Sequence, residues 1–345
     1  MNEDIDGNPL PEPEPYVLER EACDRLIIMG DANGYAHLFD RLLFGVGLID
    51  LDGHWSGGDA VLVQLGDLIN RGSSSRATMD RILRLRVEAR AQGGDVIWLL
   101  GNHEVMTALG HEAYVTADEY LEFAEVAEID AYLEQRSRRV QTVLAPPKTP
   151  RRVAPIGGLM KAWEEEHAPG QERFRDAMSS SGIYGRHLRA LPAAIRVGSV
   201  LCVHGGLSPR WAAEGLEGVA ARVASVWADD PPAYHSLEPG APLRDPDGPI
   251  WHRAYCLSDA AEVGSELKEV LAATGTEVMV VGHTRTESAG GSSGHPLTRW
   301  QDRLVMADVG MGEPGEPGCV LIVEDGTLDM WSPIDGRSQL MELSE

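Results

Sequence analysis

Apolar residues in this chain come in short unbroken runs that stop at glycine. Arg25-Leu26-Ile27-Ile28-Met29 leads into Gly30-Asp31, Ala60-Val61-Leu62-Val63-Gln64-Leu65 into Gly66-Asp67, and Asp95-Val96-Ile97-Trp98-Leu99-Leu100 into Gly101-Asn102-His103. Continuous apolar runs of this length, bounded by turn residues, read as strands buried on both faces. After the turns the period changes. Leu38, Leu42 and Leu43 share one helical face, and Ser73 to Ala91 reads as a helix with Met79, Ile82, Leu83, Leu85 and Val87 as buried positions. Strand, polar turn and helix in repeated succession predict an α/β layered domain. In such sheets ligands gather at the carboxyl ends of the strands, where these polar turns fall.

From Thr116 to His187 the character differs. Asp118 to Arg139 reads as a charged helix, Ala145-Pro146-Pro147-Lys148-Thr149-Pro150 breaks it, and Leu159 to Met178 reads as helix again. Residues 116–187 are therefore expected to be a helical cap inserted in the domain. β pattern returns at residues 194–203, 277–281, 303–307 and 319–323, which predicts a second sheet, mixed or antiparallel, facing the first. Residues 1–19, with Pro11-Glu12-Pro13-Glu14-Pro15, are expected to form a flexible or draped acidic tail, and residues 20–335 the catalytic domain.

A hydrophobic fraction of 43% fits a folded domain, while 30 basic against 54 acidic side chains leave a formal charge of −24. That charge argues against nucleic acid or an anionic membrane as partner. Cys23, Cys202, Cys256 and Cys319 form no CxxC pair, so no zinc knuckle or disulfide framework is indicated. The first residues lack the basic and apolar regions of a secretory signal, and no apolar run reaches the ~18 residues of a membrane span. The expected location is the cytoplasm.

The chemistry lies in the turns. Asp31, Asp67, Asn102, His204 and His283 all follow apolar runs, and a carboxylate at such a place is stabilised by a divalent cation. A two-metal centre, with ions about 3.5–4 Å apart, needs a bridging carboxylate and terminal ligands on each ion. Asp67 is the candidate bridge, with Asp31 on the first metal and Asn102, His204 and His283 on the second. Taken singly, a Gly-Asp pair is most often a turn and a histidine after a strand most often a core residue. It is their recurrence at successive strand ends that favours metal.

These fragments, Gly30-Asp31-Ala32-Asn33-Gly34, Gly66-Asp67-Leu68-Ile69-Asn70-Arg71-Gly72, Gly101-Asn102-His103-Glu104, His204-Gly205-Gly206-Leu207-Ser208-Pro209 and Gly282-His283, resemble the motifs of the calcineurin-like metallophosphoesterases. The resemblance is to the phosphoprotein-phosphatase branch, and within it to the bacterial Shewanella-like phosphatases. It implies a sandwich of two mixed β-sheets flanked by helices. It further implies a phosphomonoesterase acting on phosphorylated protein or a small phosphoester, with a metal-bridging hydroxide as nucleophile. By the same resemblance His103 protonates the leaving group, Arg71 and Arg253 hold the phosphate, and two divalent ions, manganese foremost with iron, zinc or magnesium as alternatives, sit on the ligands named above. The physical case for the arginines is that a guanidinium fork matches two phosphate oxygens.

Two positions depart from the pattern. Asn33 stands where the family has a histidine ligand, and a neutral amide oxygen weakens the first metal site, most of all for zinc or iron. Asn70 replaces the aspartate that partners His103, giving a hydrogen bond without the charge. His103 is then a poorer acid, and aryl phosphates such as phosphotyrosine are favoured over alkyl ones. Two other functions fit the motifs: hydrolysis of a dinucleoside polyphosphate or other nucleotide, and a weakened enzyme that binds phosphoproteins as a scaffold. Asp308, after the run Leu304 to Ala307, is assigned equally to the mouth of the site or to a turn.

Overall fold

A computed structural model describes residues 4, 7, 9–144, 156–228 and 231–343. The break expected at Ala145 to Pro150 lies outside the described residues. In chain order the elements are β1 (Glu19–Arg20), β2 (Arg25–Met29), α1 (Ala36–Gly45), β3 (Val61–Gln64), α2 (Ser75–Ala91), β4 (Asp95–Trp98) and α3 (Asn102–Ala108), then the cap helices α4 (Ala117–Leu121), α5 (Val126–Leu144), α6 (Ile156–His167), α7 (Gln171–Met178) and α8 (Ile183–Ala190). The strands β5 (Ala194–Val197), β6 (Val200–Val203), β7 (Val278–Val281), β8 (Leu297–Arg299), β9 (Leu304–Met306), β10 (Val320–Glu324), β11 (Thr327–Ser332) and β12 (Gly336–Glu342) follow, with further helices between β6 and β7.

Two mixed six-stranded sheets result, ordered β12-β11-β10-β2-β3-β4 and β1-β5-β6-β7-β9-β8. Within the first, β2, β3 and β4 run parallel; within the second, β6, β7 and β9 do. Alternate residues of each strand face different cores. Leu26 and Ile28 of β2 pack with Val200 and Cys202 of β6 between the sheets, whereas Ile27 and Met29 pack outward among the helices. Both faces are covered, which is why these strands read as unbroken apolar runs. A fully buried side chain of this size contributes about 1.5–3 kcal/mol.

The sandwich agrees with the expectation, and the differences are local. Val87 is 53% exposed and faces solvent on α2. The run at 194–203 is not one strand but the antiparallel pair β5 and β6. The run at 319–323 joins the first sheet, pairing antiparallel with β2 as β10, and β11 and β12 extend that sheet.

The cap is tied to the catalytic layers through the start of α2, which has no side-chain cap of its own. Instead Glu122 accepts from the backbone N–H groups of Arg76 (2.8 Å) and Ala77 (3.1 Å), satisfying two orphan donors at the positive end of the helix. Tyr184 of α8 donates to Asp80 at 2.5 Å. The tail is draped along the same helix. Arg86 bonds the carbonyls of Glu14 and Pro15 and stacks 3.6 Å from the Tyr16 ring centre, and His187 donates to the Pro11 carbonyl at 3.0 Å.

Candidate metal centre and active site

Each parallel strand end delivers one polar residue to a common point. From the first sheet come Asp31 after β2, Asp67 after β3 and Asn102 with His103 after β4; from the second come His204 after β6, His283 after β7 and Asp308 after β9. The approach is close enough to exclude side chains: a Cβ on Gly282 would lie 2.3 Å from Asp31 Oδ1. Asn33, Asp67, Asn70, Arg71 and His283 all adopt left-handed φ values between 50° and 72°. Such conformations cost on the order of 1–3 kcal/mol each in a non-glycine residue and gather where a site needs them.

Asp67, His204 and His283 bring ligand atoms within 4.8 Å of one another, all buried. His204 Nδ1–H donates to the Leu65 carbonyl at 2.8 Å, so its Nε2 carries a lone pair. That lone pair faces two further acceptors, Asn102 Oδ1 at 3.1 Å and Asp67 Oδ1 at 3.3 Å. A second proton on the ring does not relieve the conflict near neutrality, because burial pushes the imidazole down to about 4. His283 Nε2 is buried with no hydrogen-bond partner among the described residues. With Asp67 ionised, three acceptors converge there, and beside the orphaned imidazole nitrogen of His283 they fit a divalent cation held by Asp67, Asn102, His204 and His283.

The first candidate site is more acidic and less complete. Asp31 is held far above the usual carboxylate range by burial and by the neighbouring charges of Asp308 and Asp67. Burial lifts Asp67 to about 7, and Asp308, only 4% exposed, is raised as well. Three carboxyl groups that suppress one another's ionisation also describe a cation site. Asp31 Oδ1 accepts from the backbone N–H of His283 at 3.0 Å. Asn33 is buried at the edge of this cluster, its backbone N–H bonded to the Asp67 carbonyl at 2.9 Å.

His103 is fully buried. Its backbone N–H donates to Asp67 Oδ1 (2.9 Å), its Nδ1–H to Asn70 Oδ1 (3.2 Å), and its Nε2 accepts from Arg71 Nε at 3.3 Å. Burial and the Arg71 charge keep the ring neutral, well below its ordinary titration range. Arg71 also lies 5.2 Å from the Tyr114 ring centre. Arg253 is oriented by the His283 carbonyl (2.9 Å) and Thr284 Oγ1 (3.0 Å). Among the described residues neither guanidinium has a carboxylate ion-pair partner, and both lower the Asp67 carboxyl against its burial. A cavity of about 610 Å³ opens beside Arg71, between residues 113–118 and the cap helices α5 and α6, lined by Tyr114, Leu121, Tyr132, Arg136 and Lys161.

Residues 24–284 match the family model described as calcineurin-like phosphoesterase, most of the chain and all of these ligands except Asp308. The chain belongs to the calcineurin-like phosphoesterase family. This phosphoesterase is 27% identical over 317 residues to Shewanella-like protein phosphatase 2 of Arabidopsis thaliana, covering 88% of this chain and 75% of that relative. It is 23% identical over 269 residues to Shewanella-like protein phosphatase 1 of Plasmodium berghei (strain Anka), covering 76% and 62%. In fold it is similar to a cold-active protein tyrosine phosphatase of a psychrophilic Shewanella, with a TM-score of 0.69, 22% identity and coverage of 95% and 83%.

The structure of this phosphoesterase brings together every residue named from its motifs. It also adds four that the motifs did not assign. Glu104, fully buried, accepts from the N–H groups of Asp67 (2.8 Å), Leu68 (2.9 Å) and Gly101 (2.9 Å), fixing two ligand turns against each other. Tyr114 lies against His103 and Arg71, its ring 4.8 Å from that of His103. Glu119 lies behind Asn70, and Asp308 faces Asp31. For Asp308 the signal was present in the sequence, since it follows an apolar run as the other ligands do.

Proposed function

We propose that this chain is a divalent-metal-dependent phosphomonoesterase that dephosphorylates protein side chains, with manganese as the preferred ion. The observation that carries the reading is the His204 lone pair facing Asp67 and Asn102, in a site with two arginines that have no carboxylate ion-pair partner among the described residues. Residues 20–335 form the catalytic domain in this reading, with 116–187 as a cap that shapes access and 1–19 as a tail. The protein-phosphatase names of the Arabidopsis and Plasmodium relatives support this substrate class over nucleotides.

Asp31, Asn33 and Asp67 would hold one ion, and Asp67, Asn102, His204 and His283 the other. Two bound cations supply Lewis acidity, lowering the pKa of water and neutralising phosphoryl oxygens. Arg71 and Arg253 clamp the remaining oxygens, their forks opposing the charge that grows during displacement. When Arg71 turns to the phosphate it releases His103 Nε2, which carries a lone pair at rest and must first take up a proton from water before it can give one to the leaving oxygen. Because His103 rests neutral, a leaving group that needs little protonation suits the site better, so aryl esters are turned over faster than alkyl ones.

The test is a panel of phosphotyrosyl peptide, phosphoseryl peptide and dinucleoside polyphosphate, assayed with Mn²⁺ and with chelator. Manganese-dependent release of phosphate, fastest from phosphotyrosine, is expected. Turnover of the dinucleotide alone, or turnover unaffected by chelation, would contradict the reading.

A further inference from the structure

Asn70 has two ends, and the structure uses both. Its Oδ1 accepts from His103 Nδ1–H at 3.2 Å and from Thr107 Oγ1–H at 3.0 Å. Its Nδ2 donates to Glu119 Oε1 at 3.3 Å. Glu119 belongs to α4, the first helix of the cap, and is fully buried. The same Oε1 accepts from the Asn70 backbone N–H (3.1 Å) and from the Ser75 hydroxyl, whose own oxygen accepts from that N–H at 2.8 Å. The other oxygen, Oε2, accepts from the Thr116 N–H at 2.7 Å, closing the capping box of α4. Donors therefore face both oxygens of Glu119, an arrangement that favours the ionised carboxylate against the burial that raises its pKa.

This arrangement decides which way the Asn70 amide points. If Glu119 offered a donor instead, the amide would turn, present its NH₂ to His103 and Thr107, and leave His103 Nδ1 to accept. The His103 proton would then be drawn from Nδ1 toward Nε2, against the Arg71 Nε–H that Nε2 now accepts. We propose that Glu119 is a positioning residue for His103, acting through Asn70: a carboxylate from the cap fixes the amide, and the amide fixes the tautomer and tilt of the imidazole. Asn70 and Glu119 are a matched pair. A carboxylate at position 70 would meet that of Glu119 across the 3.3 Å now spanned by a hydrogen bond, so the negative charge sits on one side only, and here it sits on the cap.

The inference rests on the phosphoesterase reading for its kinetic consequence but not for its structural one, and the experiment separates them. Nitrogen-detected NMR of the His103 ring in the full chain should show the Nδ1–H tautomer in the wild type. Glu119→Gln cannot offer acceptors to both Thr116 and Asn70; where its NH₂ faces Asn70 the amide turns, so the Nε2–H tautomer should appear beside Nδ1–H, which the Arg71 Nε–H still favours. Asn70→Asp/Glu119→Gln, in which the glutamine NH₂ donates to the new carboxylate, should return the ring to Nδ1–H. In turnover with Mn²⁺, Glu119→Gln should lose about 10–100-fold in kcat for a phosphoseryl peptide, the range typical of an outer-shell partner, with a smaller loss for p-nitrophenyl phosphate. The double variant should recover most of it, and Asn70→Asp alone should be impaired. Glu119→Ala serves as a second variant, expected to populate both tautomers. An unchanged tautomer in both single Glu119 variants overturns the proposal. So does an equal loss on both substrates with no rescue by the double variant, which is what a merely structural cap residue would give. If the wild type hydrolyses neither substrate, the phosphoesterase reading fails, and the NMR result still decides the role of Glu119.

Discussion

In the proposed first metal site the buried Asn33 would add a neutral amide oxygen to the carboxyls of Asp31, Asp67 and Asp308. Those charges favour a hard cation there, while the missing imidazole removes the donor that zinc prefers. Asn33→His should therefore tighten the weaker metal site by at least about tenfold for Zn²⁺, or about 1.4 kcal/mol, and by less for Mn²⁺, as read by chelator competition. Asp67 makes the converse point. Burial lifts its carboxyl to about 7, so without metal its charge is a liability. Asp67→Asn, which keeps the oxygen that accepts from His103, should melt at or above the wild type in chelator and below it in Mn²⁺; a lower Tm in both conditions would contradict this. The candidate ligands that the structure brings together were legible in the sequence because each lies inside a contiguous strand-end motif. Glu104 and Glu119 were not, since their partners lie 36–37 and 44–49 residues away and only the fold joins them.

Among the elements, the βα units were legible because both faces of β2, β3 and β4 are buried. The strands not predicted, β1, β8, β11 and β12, carry partly exposed positions and a weaker alternation. The tail was readable as proline-rich and as flexible or draped, but the side chains that hold it, Arg86, Arg90 (paired with Glu14) and His187, are far away in sequence. His187 gives that contact a pH dependence. Burial holds its ring down at about 4, against an ordinary 6.5, with Glu12 opposing the shift and Arg186 and Arg86 adding to it. Between these values the unfolded chain binds the proton and the folded chain does not, so stability is present above pH 6.5 and is lost as the pH falls toward 4. His187→Gln, which can still donate to the Pro11 carbonyl, should lose about 2–3 kcal/mol less than the wild type between pH 7 and 4.5 in urea unfolding. Equal losses in the two proteins would remove His187 from the account.

Across the whole molecule, two sheets aim their parallel strand ends at one point, where Arg71 and Arg253 set positive charge against a chain charge of −24. The sandwich followed from the apolar runs, whereas the assignment of β10 to the first sheet depends on a crossing between the sheets that no local pattern encodes. The cap closes the arrangement by supplying Glu119 and Glu122 to the catalytic layers and one wall of the cavity beside Arg71. The central claim is that these strand ends form a metal centre with one complete and one incomplete site. Calorimetric titration of the metal-free protein with Mn²⁺ tests it most directly. Two binding events are predicted, with the tighter at least about tenfold stronger than the weaker and both lost in Asp67→Ala. Two equally tight ions, or binding that survives Asp67→Ala, would contradict it.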